Sequence, residues 1–274
     1  MSSIAGLSYL NIFRKFFIFL KYLSDNLSNQ EFGLIWIGFK YLLVKKSNSK
    51  DMVIKTNIGR FFIRKNTIDF KLANSAYELT VLKKFKSLLP SYDLFIDVGA
   101  NIGTYSLIAA REGKRCLAFE PIPDNFYSLK KNIELNKYGE FIQVFEFGLS
   151  DKKEKTNFNF DPLKPGASSI HPHKRMGKTI TVQLEEFDKL ELPELSRAEK
   201  VLLKIDIEGM ELNALKGMKK TLTAKENICL IIESKHSGTK SLITLLNDCG
   251  KFKYENIDEF NMLAIKYINL RKKL

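Results

Sequence analysis

Tryptophan occurs once and histidine three times in this chain, and no two cysteines stand in a C-x-x-C pair. The three cysteines, Cys116, Cys229 and Cys249, fall in or beside apolar segments. Neither a disulfide framework nor a zinc site finds its ligands there, so buried thiols in a reducing, cytoplasmic compartment are expected. Long apolar runs are missing too. The longest strongly apolar uncharged run among residues 1–50, Phe32 to Phe39, is far short of the roughly 20 residues that cross a bilayer. Arg14, Lys15 and Lys21 interrupt the apolar stretch before it and no small-residue cleavage site follows, which argues against a signal peptide. Negative charge is scarce, with 31 acidic residues against 44 basic ones and a net charge of +13. Such a balance suits nucleic acid or an anionic membrane. The lysines are scattered, however, rather than striped with aromatics as a nucleic-acid face would be, so compositional bias is the favoured reading and a nucleic-acid partner the disfavoured one.

Glycine is absent from two places where one class of cofactor needs it. Leu94 to Val98 reads as a buried parallel strand that runs into Gly99-Ala100-Asn101-Ile102-Gly103 and then a helix opening near Thr104. A dinucleotide fingerprint requires Gly-x-Gly-x-x-Gly, but Asn101 and Thr104 occupy its second and third glycine positions. A nicotinamide dinucleotide is thereby excluded. What remains, Asp-x-Gly-x-x-x-Gly from Asp97, still describes a nucleotide site: Gly99 and Gly103 allow close backbone approach to a ligand, and the helix start offers unpaired N–H groups. Glu120, closing the next apolar strand, is placed to meet ribose hydroxyls.

Organisation along the chain supports an α/β domain over residues 51–274 preceded by a helical extension over residues 1–50. The extension sets Phe13, Phe16, Phe17, Phe19, Trp36 and Phe39 among seven basic residues, with only Asp25 and Glu31 acidic. It reads either as a helical cap on the domain or as an interfacial helix giving peripheral contact at the inner face of a membrane. Alternation around Asn57–Gly59 predicts a hairpin, and Tyr77 to Leu89, ended by Pro90, a helix. Strands and helices then alternate: strands 94–98, 115–119, 142–147, 201–205 and 228–232, with helices 104–110, 124–136, 211–222 and 241–248. That order means a parallel sheet, and residues 252–254 with 262–265 add a terminal hairpin. Between Asp151 and Thr181 the pattern breaks into polar turns, read as a substrate-facing insertion.

Six blocks carry a family resemblance: Asp97-Val98-Gly99-Ala100-Asn101-Ile102-Gly103, Phe119-Glu120-Pro121-Ile122-Pro123, Gly148-Leu149-Ser150-Asp151, Gly166-Ala167-Ser168-Ser169-Ile170, Lys204-Ile205-Asp206-Ile207-Glu208-Gly209-Met210-Glu211 and Ile231-Ile232-Glu233. Their order over residues 52–266 resembles that of FkbM-type S-adenosylmethionine-dependent methyltransferases. The resemblance implies a class I methyltransferase, Rossmann-like fold with a mostly parallel seven-stranded sheet. It also implies O-methylation of a hydroxyl on a glycan, glycolipid or other hydroxyl-rich small molecule. Leu184-Glu185-Glu186 departs from the family's Leu-Asp at that place.

Roles follow from strand ends, where ligands gather in open parallel sheets. Asp97, Gly99, Ala100, Asn101, Gly103 and Thr104 would hold the methionine part of S-adenosylmethionine, Glu120 its ribose, and Ser150 with Asp151 the adenine side. A hydroxyl nucleophile is helped by a base, and Asp206, Glu208, Glu233 and His236 are the candidates. His171 and His173 are weaker ones. Asp206 and Glu208 share a face if the strand stays extended through them; otherwise either carboxylate caps the following helix. Asp206 with Glu233 suggests Mg2+ by resemblance to catechol-type O-methyltransferases, a ligation the two carboxylates support only weakly. Two further readings are a nucleic-acid methyltransferase, disfavoured because Asp206-Ile207-Glu208-Gly209 replaces the Asp/Asn-Pro-Pro-Tyr/Phe of nucleobase amino-methylating enzymes, and a non-catalytic membrane-peripheral binding module.

Overall fold

A computed structural model describes residues 23–24, 26–28, 31–44, 46–160 and 178–267. His171, His173, the Gly166–Ile170 block and the phenylalanines before residue 23 lie outside them. The chain divides into two compact units, one reaching Leu79 and one beginning at Thr80.

The first unit contains helix α1 (Phe32–Val44), the antiparallel hairpin β1 (Met52–Lys55) and β2 (Arg60–Ile63), and the short helix α2 (Asp69–Leu72). Polar side chains stitch these pieces together. The Glu31 carboxylate accepts from the Asn57 N–H in the hairpin turn. The Asn48 amide donates to the carbonyls of Ile63 and Arg64 at 3.3 and 3.1 Å, and Arg64 grips Asp69 through two bonds of 2.8 Å. Leu34 and Ile37 of α1 are buried, and Tyr41 packs on Phe70 with ring centroids 5.4 Å apart.

The second unit opens with α3 (Leu79–Leu88) and continues as β3 (Leu94–Val98), α4 (Thr104–Arg111), β4 (Arg115–Phe119), α5 (Pro123–Asn136), β5 (Ile142–Phe145), β6 (Gly148–Ser150), β7 (Glu154–Phe160), β8 (Lys178–Glu186), α6 (Pro193–Arg197), β9 (Lys200–Ile205), α7 (Glu211–Gly217), α8 (Lys219–Ala224), β10 (Asn227–Glu233), α9 (Thr239–Cys249), β11 (Phe252–Asn256) and β12 (Asn261–Lys266). Seven strands form one sheet in the order β11-β12-β10-β9-β3-β4-β5. All pairs are parallel except those of β12 with β10 and with β11. This is the mostly parallel sheet with a terminal hairpin, the class I methyltransferase arrangement that the sequence anticipates. Side chains of β3 are buried along the whole strand, as a central strand covered on both faces requires. From β3 the chain builds outward through β4 and β5, then crosses back to β9 on the other side. Strand order therefore reverses beside β3, the place where such sheets bind ligands.

Two elements depart from the sequence reading. Helix 211–222 is interrupted at Met218, giving α7 and α8. Gly217 lies at the break, and a β-carbon there would fall against the Ser150 carbonyl, 2.9 Å from its carbon. The polar stretch after Asp151 is also less irregular than it reads. β7 and β8 pair antiparallel from Glu154–Leu184 to Phe160–Lys178, and β6 pairs parallel to β8. Strands exposed along much of their length carry too many polar residues for the apolar alternation to stand out, and among the described side chains of β7 and β8 the buried apolar ones are Phe158, Val182 and Leu184.

Gly217→Ala tests this packing. The added methyl gains helix propensity of about 1 kcal/mol, but the collision with β6 outweighs it, and denaturant unfolding should show a net loss of about 1–3 kcal/mol. Gly139→Ala, with nothing within 4 Å of its β-carbon position and no positive φ, should be neutral in the same measurement.

Candidate active site

The site is built at the carboxyl ends of β3, β4, β9 and β10. Asp97, in register with Lys204 on the neighbouring strand, is 2% exposed. Burial pushes its carboxyl up to about 6, against the pull of the Lys204 cation and of the Ser106 hydroxyl, which donates to it at 2.6 Å. The Lys204 ammonium sits 2.6 Å from Asp206 Oδ2 and 4.6 Å from the centre of the Tyr105 ring. One buried cation therefore serves two carboxylates on adjacent strands.

The glycines of the loop after β3 stand where the protein itself leaves no room for a side chain. At Gly99, with φ of 85°, a β-carbon would run into the Asp206 carbonyl and lie 2.9 Å from the Ile207 side chain. At Gly103, with φ of 91°, it would lie 2.5 Å from Leu129 of α5. Asn101, with φ of 53°, turns its N–H to Glu120 Oε2 at 2.8 Å. Glu120 Oε1 accepts from the Ile122 N–H at 2.9 Å and the Asn125 amide at 3.4 Å. A carboxylate 3% exposed thus ties the first loop to the start of α5. Asn101 Oδ1 is buried there with no hydrogen-bond partner. Ala100 is buried and Thr104 half-buried at the helix entrance.

Strand β9 does not continue through Asp206 and Glu208. It ends at Ile205, and Glu208 and Gly209 take φ of 51° and 107°. Asp206 is held in place by its N–H, which donates to the Val98 carbonyl at 3.0 Å. Glu208 turns away from Asp206 toward His236, whose Nε2 lies 3.2 Å from Glu208 Oε2. The two carboxylates share no extended face. Glu211 in the first turn of α7 holds this loop: its Oε1 accepts from the N–H groups of Ile207 and Gly209 at 3.3 and 3.0 Å, and its Oε2 from the Ser237 hydroxyl. Glu211 is fully buried and pins the loop that carries both Asp206 and Glu208. Its place as an acid in the first helical turn was the available sequence signal.

Glu233 ends β10 with its Oε2 buried and without a partner. Burial, and next the nearby carboxylates of Asp206, Glu208 and Glu211, push it up to about 8, opposed by Lys235. Glu208, Glu233 and His236 bring one ligand atom each to within 4.8 Å of one another, a mixed carboxylate and imidazole set that suits a divalent transition-metal cation. Asp206, the Mg2+ partner suggested by the sequence, is paired with Lys204. Ser150 and Asp151 stand at the end of β6, facing α7: the Ser150 hydroxyl donates to Asp151 Oδ1 at 3.1 Å, which also accepts from the Asn213 amide at 3.4 Å.

The raised Glu233 carboxyl has a consequence for stability. The native state binds its proton more tightly than the unfolded chain, so the stabilising contribution is complete below pH about 4.5 and is lost as pH rises through about 8. Glu233→Gln, which cannot ionise, should raise the melting temperature relative to the unsubstituted protein at pH 9 and do so much less at pH 6. Calorimetry in metal-free buffer checks this, and an equal shift at both pH values would refute it.

Comparison with known proteins places the chain in a family. Residues 97–252, more than half of the sequence, match the Methyltransferase FkbM domain. Methyltransferase 1 of Beauveria bassiana is 32% identical over 47% of this chain and 59% of its own length. The hexuronic acid methyltransferase AglP of Haloferax volcanii is 30% identical over 57% of this chain and 62% of its own. The chain thus spans about three fifths of these curated relatives. A crystal structure of an FkbM methyltransferase from Methylobacillus flagellatus is similar with 20% identity and a TM-score of 0.44, over 63% of this chain and 43% of that one. The matched domain begins at Asp97 near the end of β3, and the chain belongs to the FkbM methyltransferase family.

Proposed function

We propose that the protein transfers a methyl group from S-adenosylmethionine to a hydroxyl of a glycan, glycolipid or other hydroxyl-rich small molecule. The observation that carries the reading is a pairing at the carboxyl ends of the central strands. A loop with buried acceptors, Asn101 Oδ1 and Glu120, adjoins strand ends that present a histidine held by a carboxylate. Family membership supports the reaction class, and the hexuronic acid methyltransferase among the relatives supports a sugar-type acceptor.

The residues present fit this cofactor. A buried acceptor without a partner, Asn101 Oδ1, suits a ligand that brings ammonium and hydroxyl donors, and Glu120 would accept from ribose. Asp97, Gly99, Ala100, Gly103 and Thr104 shape the loop around it, with Ser150 and Asp151 on the adenine side. S-Adenosylmethionine would supply a sulfonium-bound methyl group for transfer to oxygen, the sulfur leaving as a neutral thioether. Everything else falls to the chain. With Nε2 of His236 facing Glu208, its Nδ1 is the nitrogen that takes the acceptor's hydroxyl proton, and the Glu208 carboxylate stabilises the imidazolium that results. Asp206, fixed by Lys204 and by the Val98 carbonyl, positions the acceptor. Glu233, kept protonated by its surroundings up to about pH 8, donates a hydrogen bond to an acceptor oxygen.

Glu120→Ala should weaken S-adenosylmethionine binding by about 1.5–3 kcal/mol, the scale of a hydrogen bond to a charged group, as calorimetry on folded protein would show. His236→Ala should keep cofactor affinity and lose turnover by about 10²-fold or more, measured with labelled cofactor and uronic-acid-containing glycans. Asp206→Asn should behave likewise. Unchanged affinity in the first variant, or unchanged turnover in the other two, would remove the corresponding role.

The clustering of Glu208, Glu233 and His236 favours a second reading, in which they hold a divalent cation that orients vicinal hydroxyls of the acceptor. His236 would then be a ligand rather than a base. On the first reading, activity survives EDTA dialysis undiminished. Loss on chelation with recovery on adding Mg2+ or Mn2+ would install the second.

A further inference from the structure

Helix α1 is apolar on two opposite faces. Leu34, Ile37 and Gly38 are buried, with Tyr41 packed on Phe70. At intervals of four, three and four residues, Phe32, Trp36, Phe39 and Leu43 form a second stripe, 64, 69, 48 and 69% exposed. A helix that is apolar all round ordinarily has both faces covered, and four large side chains in one exposed row exceed the scattered apolar residues of a soluble surface.

Charge identifies what covers the row. Between residues 31 and 50 the single carboxylate is Glu31, which is buried and bonded to Asn57. Lys40 flanks the stripe on the helix, and Lys46 and Lys50 are exposed just beyond its end. A second copy meeting this face would oppose lysine to lysine. An anionic surface with an apolar interior satisfies both features: large rings and Leu43 enter the acyl boundary while ammonium groups remain among the headgroups. We propose that α1 lies in the plane of an anionic lipid membrane, with Phe32, Trp36, Phe39 and Leu43 inserted. No helix among the described residues is long and apolar enough to span one, so the contact is peripheral.

The single tryptophan of the chain, Trp36, reports on this helix alone. Full-length protein is mixed with vesicles of phosphatidylcholine containing about one third phosphatidylglycerol and with vesicles of phosphatidylcholine only, at low and high salt. The proposal expects a red-shifted, water-like Trp36 emission in the free protein, and a blue shift with quenching by brominated acyl chains on the anionic vesicles. Both should fall about tenfold or more as salt compresses the attraction into a few ångströms. A Phe32→Ser, Phe39→Ser double variant, altered only at exposed positions, should fold normally by circular dichroism and lose the shift. Trp36 emission that stays water-like on every vesicle overturns the proposal. So does emission already blue without lipid, which would mean that protein, from a second copy or from this chain, covers the stripe.

Discussion

The close contact between the ends of β3 and β9 is the constraint on which the site depends. Gly99 lies so near the Asp206 carbonyl that no side chain fits between them, and the Asp206 N–H is bonded to the Val98 carbonyl. Because β3 is also where strand order reverses, this contact brings together two loops that are more than a hundred residues apart in sequence. Loosening it would move Asn101, which Glu120 anchors from one side, away from Asp206, which Lys204 anchors from the other. The absence of a side chain at Gly99 is thus a matter of strand-end packing first, and the ligand-facing consequences are transmitted through it.

Buried charge is the second constraint. Asp97, Asp206, Glu208, Glu211 and Glu233 gather at these strand ends, and desolvating so many carboxylates without counter-charge is unfavourable. The fold answers in three ways. Lys204 stands between Asp97 and Asp206, Glu211 spends its oxygens on loop N–H groups and a serine hydroxyl, and Glu233 holds its proton. A protonated carboxyl beside a histidine–carboxylate pair separates donor from acceptor among groups of similar chemistry, the condition under which neighbouring acids take different roles.

Much of this was legible in the sequence because the signals were local. Continuous apolar strands, a glycine turn and an acid at the next strand end define β3, β4 and the loop between them, and the structure has those elements within a residue or two of expectation. Glu211 was not legible as a loop anchor, since its partners Ile207, Gly209 and Ser237 meet it only after β9 and β10 lie side by side. The ribbon of β7 and β8 was missed for a different reason. Strands largely open to solvent need not alternate apolar and polar residues, so residues 154–160 looked like loop. The glycines were recognised as necessary, but the atoms that require their bareness are Asp206 O and Leu129 Cδ1, which no local pattern reveals.

Asp206 and Glu208 illustrate how a backbone torsion assigns chemistry. Two residues apart at a strand end, they would be near-equivalent if the strand continued, both facing the same neighbours. The left-handed conformations of Glu208 and Gly209 break that equivalence, and Glu211 holds the break in place by accepting from N–H groups on both sides of Glu208. Asp206 is left with a buried lysine that fixes its position. Glu208 is delivered to His236. One carboxylate is therefore tied to a lysine on its own strand and the other to a histidine after the next strand. The division follows from the turn, and the turn follows from the left-handed Gly209 and the buried Glu211 that accepts its N–H.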